Sequence, residues 1–412
     1  MTTDTMIDVD EFRAKAREWL AANAPKRGEA DVGPMGEAHE MGSREERDHV
    51  MRAREFQAKL HDAGFAGITV PREYGGQGLT RAHQAAFTQE AAAYQTPTVN
   101  GLGFGLFIPT LLAHGTEEQK TYWIPKVLRN EKIFCQLFSE PGAGSDLAGL
   151  QSKAERHDDE WILNGQKVWT SGAQIADIGG GPFRTDPDLP KHQGLSFFVV
   201  DMKQPGVEVR PLKQITGESH FNEVFFTDAR TPDENRVGGV GEGWRVALTM
   251  LMNERMTLGG GGGQASRRGG GEGAIVRLAR ELELFDDAET RDKVIDYFIQ
   301  QRVLSLLGQR MGEQNKGRQP GPEFSMMKLM GTRIGALITE LAPNLIGPGG
   351  AAWDDDEALG HRWTQNLLAS RSGKIAGGSD EILLNIIGER VLGLPQDPRV
   401  DKDVPFREVK TG

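Results

Sequence analysis

The hydrophobic period changes twice along this chain, and that constrains its fold more than any single motif. Apolar residues recur at helical spacing up to about residue 131. Short strand-like runs fill the stretch from Ile133 to Arg230, and helical spacing returns from Gly238 to about Gly393. The runs IFCQLFS, LSFFVV, VEVRPLK and FNEVFFTDAR have no helix-length pattern between them. An antiparallel sheet or barrel is therefore expected rather than a parallel one. With 412 residues, the chain is too long for the usual single core. The expected architecture is α+β in three parts: an N-terminal helical domain over 1–131, a middle antiparallel β-barrel or sheet domain over 132–236, and a C-terminal helical bundle over 237–412.

Local signals set the boundaries. Asp8 is placed to cap a helix through EFRAKAREWLAANA. Ser43 opens a second helix with capping-box spacing, Thr80 a third, and Thr116 with Gln119 a fourth. Asn164-Gly165, between two apolar-rich runs, is the strongest short hairpin signal. Pro182 in IADIGGGPFRTD argues against an ordered strand there, because proline removes a ladder donor. Gly377-Gly378 precede Ser379, which is placed to cap a helix from Asp380 to Leu392.

Composition excludes several classes. The formal net charge of -11 argues against a protein built to neutralise nucleic-acid phosphates. The single cysteine, Cys135, forms no intramolecular disulfide or cysteine-based metal site, and a reducing, cytoplasmic setting is expected. The acidic opening MTTDTMIDVDEF does not read as a secretory signal. The longest charge-free apolar run, Gly101 to Ala113, is too short for a membrane span.

Four constellations carry potential chemistry. FSEPGAGSDLAG, Phe138 to Gly149, follows a strand and gathers glycines and serines whose N–H and O–H groups can hold an anion or a ring oxygen; an ordinary Gly/Ser loop reads the same way. In KVWTSG, strand alternation would put Trp169 and Ser171 on one face, suited to the face and edge of a planar ring, or to a core tryptophan beside a strand-end serine. In LMNERMTLGGGGG, a helical Glu254 shares a face with Met250, Leu251, Thr257, Leu258 and Gly261. Arg255 lies about 100° around the helix. Glu254 is either a desolvated general base or a carboxylate at a solvated helix edge. The run Gly259 to Gly263 is either a loop or a wall stripped of side chains to admit a ligand. Finally, the Gly377-Gly378-Ser379 helix start suits an anion or a ring edge, though plain capped helices share that pattern.

Taken in order, SEPGAGSDLAG, NGQKVWTSGAQIAD, GLSFFVVD, FNEVFFTDAR, GEGW…NER and IAGGSDEI…ERVLGLP resemble the acyl-CoA dehydrogenase family across nearly the whole chain. The resemblance implies an FAD enzyme that oxidises an acyl-CoA thioester to the trans-2-enoyl-CoA and passes electrons to an electron-transferring flavoprotein. It implies a homotetramer or homodimer and no metal. By the same resemblance Gln136, Leu137, Phe138 and Ser139 line the flavin, and Ser145 contacts flavin and substrate. Trp169 flanks the ring beside Thr170, Ser171 stands where a threonine usually bonds flavin N5, and Ser379 to Glu381 touch the flavin from the last helix. Arg255 and Gly377 fall at substrate positions.

Many members carry the catalytic base just before the last helix, where this chain has Gly377. A second group, resembling isovaleryl-CoA and long-chain enzymes, places it before an arginine on the earlier helix, and Glu254-Arg255 matches that pattern. The chain departs from the family where QASRRGGGEG replaces an R-x-x-F-G element, with Arg267 and Arg268 nearby, and where Leu368-Ala369-Ser370 replaces R-D-A. These departures leave open a non-catalytic or half-active subunit of a mixed assembly, or a relative with oxidase or hydroxylase chemistry.

Overall fold

The computed structural model describes residues 6–27, 42–259, 273–314, 321–351, 359–399 and 401–409. Its contacts form two compact units. One comprises Met1–Gln214, Glu218–Leu251 and Arg399–Gly412; the other comprises Ile215–Gly217 and Met252–Pro398.

The first unit opens with helices that start where their caps dictate. The Asp8 carboxylate accepts the Asp10 N–H at 2.8 Å and starts α1, Val9–Asn23. This helix buries Phe12, Ala16 and Leu20 at a four-residue spacing. Burying each of the two large side chains is worth about 1.5–3 kcal/mol. Ser43 Oγ accepts the Glu46 N–H at the head of α2, Arg44–Asp62. Thr80 caps α3, Arg81–Ala91, and α4 spans Ile108–His114. Thr116 and Gln119 form a reciprocal capping box on α5, Glu117–Leu128.

The sheet follows. Its strands are β1 Phe134–Gln136, β2 Lys153–His157, β3 Glu160–Ser171, β4 Ile178–Arg184, β5 Leu195–Asp201, β6 Val207–Leu212, β7 Phe221–Pro232 and β8 Arg236–Val237. Their order is β6-β7-β3-β2-β4-β5-β8, with β1 beside β4. Most pairs are antiparallel, as expected, but β1 and β2 each meet β4 in parallel. The connection from β1 back to β4 contains the β2–β3 hairpin, which takes the place of the usual crossover helix.

Two local expectations fail here. Asn164-Gly165 makes no hairpin turn. It lies inside the continuous β3 as a register shift against β7. Gly165 sits at φ +146°, and a Cβ there would meet Ser152 Oγ at 2.2 Å. Asn164 instead bonds across to Asp228, so the pair forms a bulge that lets β2 approach. The hairpin turn falls earlier, between His157 and Glu160.

The second failure is at Gly179 to Phe183, which is a fully buried strand. β1 pairs with β4 only as far as Gly180, and β2 meets it only at Arg184. Pro182 lies between those contacts, where no ladder donor is needed, and its carbonyl accepts Lys167 Nζ at 3.0 Å. The glycines allow close approach: a Cβ on Gly181 would sit 1.9 Å from Leu137 O.

The last helix counted partly in this unit is α6, Gly243–Gly259, whose Val246, Ala247 and Met250 are buried in the first unit's core. The second unit holds the end of α6 and α7 Ala274–Glu281, α8 Ala288–Gln314, α9 Ser325–Ile346, α10 Leu359–Gly373 and α11 Asp380–Ile386. α9 packs against α7, α8, α10 and α11. Ile275, Leu278, Val294, Ile338 and Trp363 form its core. Beyond α11 the helix loosens into a π turn, Ile387–Val391. Gly260 to Gly263, Arg267 and Arg268 lie outside the described residues.

Candidate active site

The expected site residues fall into two sets, one in each unit. In the first unit, β1 leads through Leu137 and Phe138, both buried, into the turn that begins at Ser139. Leu137 N–H donates to Gly180 O and Val168 N–H to Ser139 O, so the strand end is tied on both sides. Gln136 and Ser139 are half-buried, whereas Ser145 is exposed. A Cβ built on Gly142 or Gly144 would meet nothing within 4 Å, so this turn keeps open space along its backbone.

What fixes the turn is a buried ion pair. Lys167 Nζ lies 2.8 Å from Glu140 Oε1, and both side chains are almost wholly enclosed. The Glu140 carboxylate also accepts the N–H groups of Gln151 and Ser152. Lys167 donates in addition to Phe138 O and Pro182 O. Burial alone would raise the glutamate's pKa, but Lys167 and the backbone donors outweigh it and hold it below the ordinary carboxylate range. Burial draws the lysine below its ordinary range, with Glu140 opposing.

The Trp169 segment departs from simple alternation. A register shift between Lys167 and Thr170 breaks the ladder, and Trp169 adopts φ +61°. The expected shared face of Trp169 and Ser171 therefore does not follow from strand pleating. For a bulky residue a positive φ is strained, and such strain clusters at functional sites. The indole is 56% exposed and meets Phe221 only edge-on. Beside it the Thr170 hydroxyl is buried with no hydrogen-bond partner. A bare aromatic face, an orphaned hydroxyl and an open glycine turn fit a planar ring with polar edges.

In the second unit, Glu254 and Arg255 are both half-buried on α6. The Arg255 guanidinium is pulled below its usual pKa by burial, and Arg390 adds to this while Glu254 opposes it. Its Nε is buried without a hydrogen-bond partner. Lys328, on α9, is only 2% exposed, and its Nζ donates to Gly378 O at 2.7 Å. Burial lowers its pKa too. Asp380 and Glu254 counter that, and Arg255 reinforces it. The arrangement therefore sets a carboxylate among two desolvated cations beside a glycine turn.

That turn is strained for anything but glycine, with Gly377 at φ +69° and Gly378 at φ +102°. A glutamate at position 377 would have to adopt this left-handed backbone. Ser379 caps α11 by accepting the Ile382 N–H at 3.4 Å, as its sequence position indicates. Glu381 is exposed in the first turn of α11, held below the ordinary carboxylate range first by its own backbone N–H and then by Ser379.

Lys328, Lys167 and Glu140 were not among the candidates from sequence. Lys328 had a signal, since it is the one charge in SMMKLM. The Glu140–Lys167 pair had none, because its partners are 27 residues apart. Among the described residues, no group of three or more His, Cys, Asp or Glu side chains is arranged to hold a metal. None of the described helices is long and apolar enough to cross a membrane.

The chain thus runs helix–sheet–helix, with a glycine turn at the end of one sheet strand and a carboxylate on a following helix. Family models agree over most of its length: the acyl-CoA dehydrogenase N-terminal domain matches residues 8–131, the middle domain 135–229 and the C-terminal domain 241–392. The chain belongs to the acyl-CoA dehydrogenase family. It is 39% identical over 397 residues to acyl-CoA dehydrogenase IpdE1 of Mycobacterium tuberculosis, covering 96% of this chain and 100% of that protein. Among solved structures it is similar to the Tcur3481-Tcur3483 steroid ACAD, with a TM-score of 0.76 and 26% identity over 96% of this chain and 100% of that one. It is also similar to the ChsE4-ChsE5 complex from Mycobacterium tuberculosis, with a TM-score of 0.73 and 27% identity over 96% of this chain and 100% of that one.

Proposed function

We propose that this protein is an FAD-dependent acyl-CoA dehydrogenase that uses Glu254 as its base. The observation that carries this reading is the environment of Glu254: a half-buried carboxylate beside desolvated Arg255 and Lys328, in a chain whose other family position for the base is the left-handed Gly377. Ionised, Glu254 removes the proton next to the thioester carbonyl. FAD, when bound, supplies the acceptor for the β-hydride and relays the electrons to an electron-transferring flavoprotein. In the first unit the residues that would hold it are Gln136 to Ser139, Ser145, Trp169, Thr170 and Ser171; in the second, the family resemblance assigns Ser379 and Glu381 to flavin positions. The family resemblance assigns substrate positions to Ser145 in the first unit and to Arg255 and Gly377 in the second. The product is the trans-2-enoyl-CoA.

The test is a panel of short, branched and steroid-ring acyl-CoA thioesters offered to the purified protein without oxygen. Bleaching of bound flavin by at least one of them is expected. Glu254→Gln should keep the flavin and lose turnover by about a thousandfold or more, the scale of a lost general base together with its positioning. Near wild-type turnover in that variant would remove Glu254 from the mechanism.

A second reading is a subunit of a mixed assembly. It draws on the structural relative described as a ChsE4-ChsE5 complex and on QASRRGGGEG standing where the family has R-x-x-F-G. A colourless, inactive protein that gains flavin and activity only with a second, related chain would favour it over a homotetramer or homodimer.

A further inference from the structure

The C-terminal segment returns to the first unit and packs along the loop between β4 and β5. Phe406 N–H donates to Leu189 O and Arg407 N–H to Pro187 O, each at 3.0 Å. Pro405 pairs with Pro190, and Arg407 meets Asp188 at 2.8 Å. Phe406 is buried, with the Arg184 guanidinium stacked 3.7 Å from its ring centre.

Two cations join this segment to the glycine turn. Lys191 Nζ donates to Asp401 Oδ2 at 2.5 Å and to Asp146 Oδ2 at 2.8 Å. These carboxylates lie 210 and 45 residues away in sequence. Arg184, stacked on Phe406, donates to Ala148 O at 2.7 Å and to Lys191 O at 2.8 Å. Burial pulls the Lys191 pKa down, but its two carboxylates carry it above the ordinary lysine range. The ammonium is largely enclosed, and its bond to the part-buried Asp401 is less screened than its bond to Asp146, whose side chain is 62% exposed. The Glu140–Lys167 pair holds the base of the turn, while its remaining backbone bonds, Glu140 with Ala143, Asp146 with Gly149 and Leu147 with Leu150, are local and do not anchor its exposed tip.

We propose that Lys191 is a positioning residue that locks the Ser145–Asp146 turn to the C-terminal segment Asp401–Val409, holding the turn in the form that receives the acyl-CoA thioester. The role rests on the proposed function, because it takes Ser145 as a substrate contact. The bond geometry does not depend on that reading.

The experiment uses the full-length protein with Lys191→Met, Lys191→Arg, Asp401→Asn and Phe406→Ala. Hydrogen exchange is followed over residues 142–149, and steady-state kinetics are measured with the best thioester of the panel. In Lys191→Met and Phe406→Ala, amide exchange in that turn should speed up by about tenfold while the rest of the sheet stays protected. KM should rise about fivefold or more with kcat within about twofold, the split expected when substrate positioning is lost and the chemistry is kept. Lys191→Arg should recover most of both, and Asp401→Asn should show a smaller change in the same direction. Unchanged exchange in the turn, loosening spread across the whole sheet, or an unchanged KM overturns the proposal. If Lys191→Met does not fold, Phe406→Ala and Asp401→Asn decide it by the same two readouts. If the unaltered protein turns over no thioester, the functional reading fails, and exchange alone still decides for or against the lock.

Discussion

Lys328 Nζ donates to the carbonyl oxygen of Gly378 at 2.7 Å, joining the buried face of α9 to the glycine turn that precedes α11. One bond thus holds a cation close to Glu254 and tethers the Gly377-Gly378 turn.

Burial lowers the Lys328 pKa, so in the folded state its ammonium carries a desolvation cost. That cost is fully present below the folded pKa and fades as pH rises toward the unfolded value. Lys328→Met removes the cost but leaves the Gly378 carbonyl without its donor, an opposing loss of about 1–3 kcal/mol. The melting temperature is therefore expected to move little. Turnover should fall by about tenfold or more, because the carboxylate loses a neighbouring charge and the turn its tether. Paired melting and kinetic measurements check this, and full activity in the variant would assign Lys328 to packing alone.

The Glu140–Lys167 pair is enclosed, so removing one partner strands a buried charge. Lys167→Met should destabilise the protein by about 3–5 kcal/mol in urea unfolding. The double change Glu140→Met with Lys167→Met should recover part of that loss. If the double variant is less stable than the single one, the backbone bonds of Glu140 to Gln151 and Ser152 matter more than its charge partner.

Asp233 accepts from Trp161 Nε1 at 2.7 Å and pairs with Arg236, which pulls its pKa from 3.8 to about 2. A folded pKa below the unfolded one gives stability that is present above 3.8 and lost as pH falls toward about 2. Asp233→Asn keeps an acceptor for the indole but loses the charge. It should melt lower than the unaltered protein near neutral pH, with the gap closing through that acidic window. A gap independent of pH would contradict the linkage.

Cys135 is wholly buried in β1, and burial pushes its thiol pKa up to about 12. At neutral pH a thiol reagent should leave it untouched in the native protein and label it once in denaturant. Fast native labelling would show that β1 opens readily, although it leads into the proposed flavin strand.

What the sequence determined was local or periodic. Asp8, Ser43, Thr116 and Ser379 cap helices because a cap joins residues two or three apart, and any chain carrying that spacing can form it. The short strand-like runs became β5, β6 and β7, and the ordered motifs identified the family. The tertiary structure decided whatever depended on distant neighbours. Asn164-Gly165 has the dipeptide of a hairpin, yet Ser152 and Asp228 make it a bulge. Pro182 has the look of a strand breaker, yet the gap between β1 and β2 leaves its missing donor without consequence. Lys328, the Glu140–Lys167 pair and the Lys191 lock each join partners dozens to hundreds of residues apart. No spacing along a chain encodes such pairs, because only the packed fold brings those atoms within bonding distance and removes the water that would otherwise satisfy them.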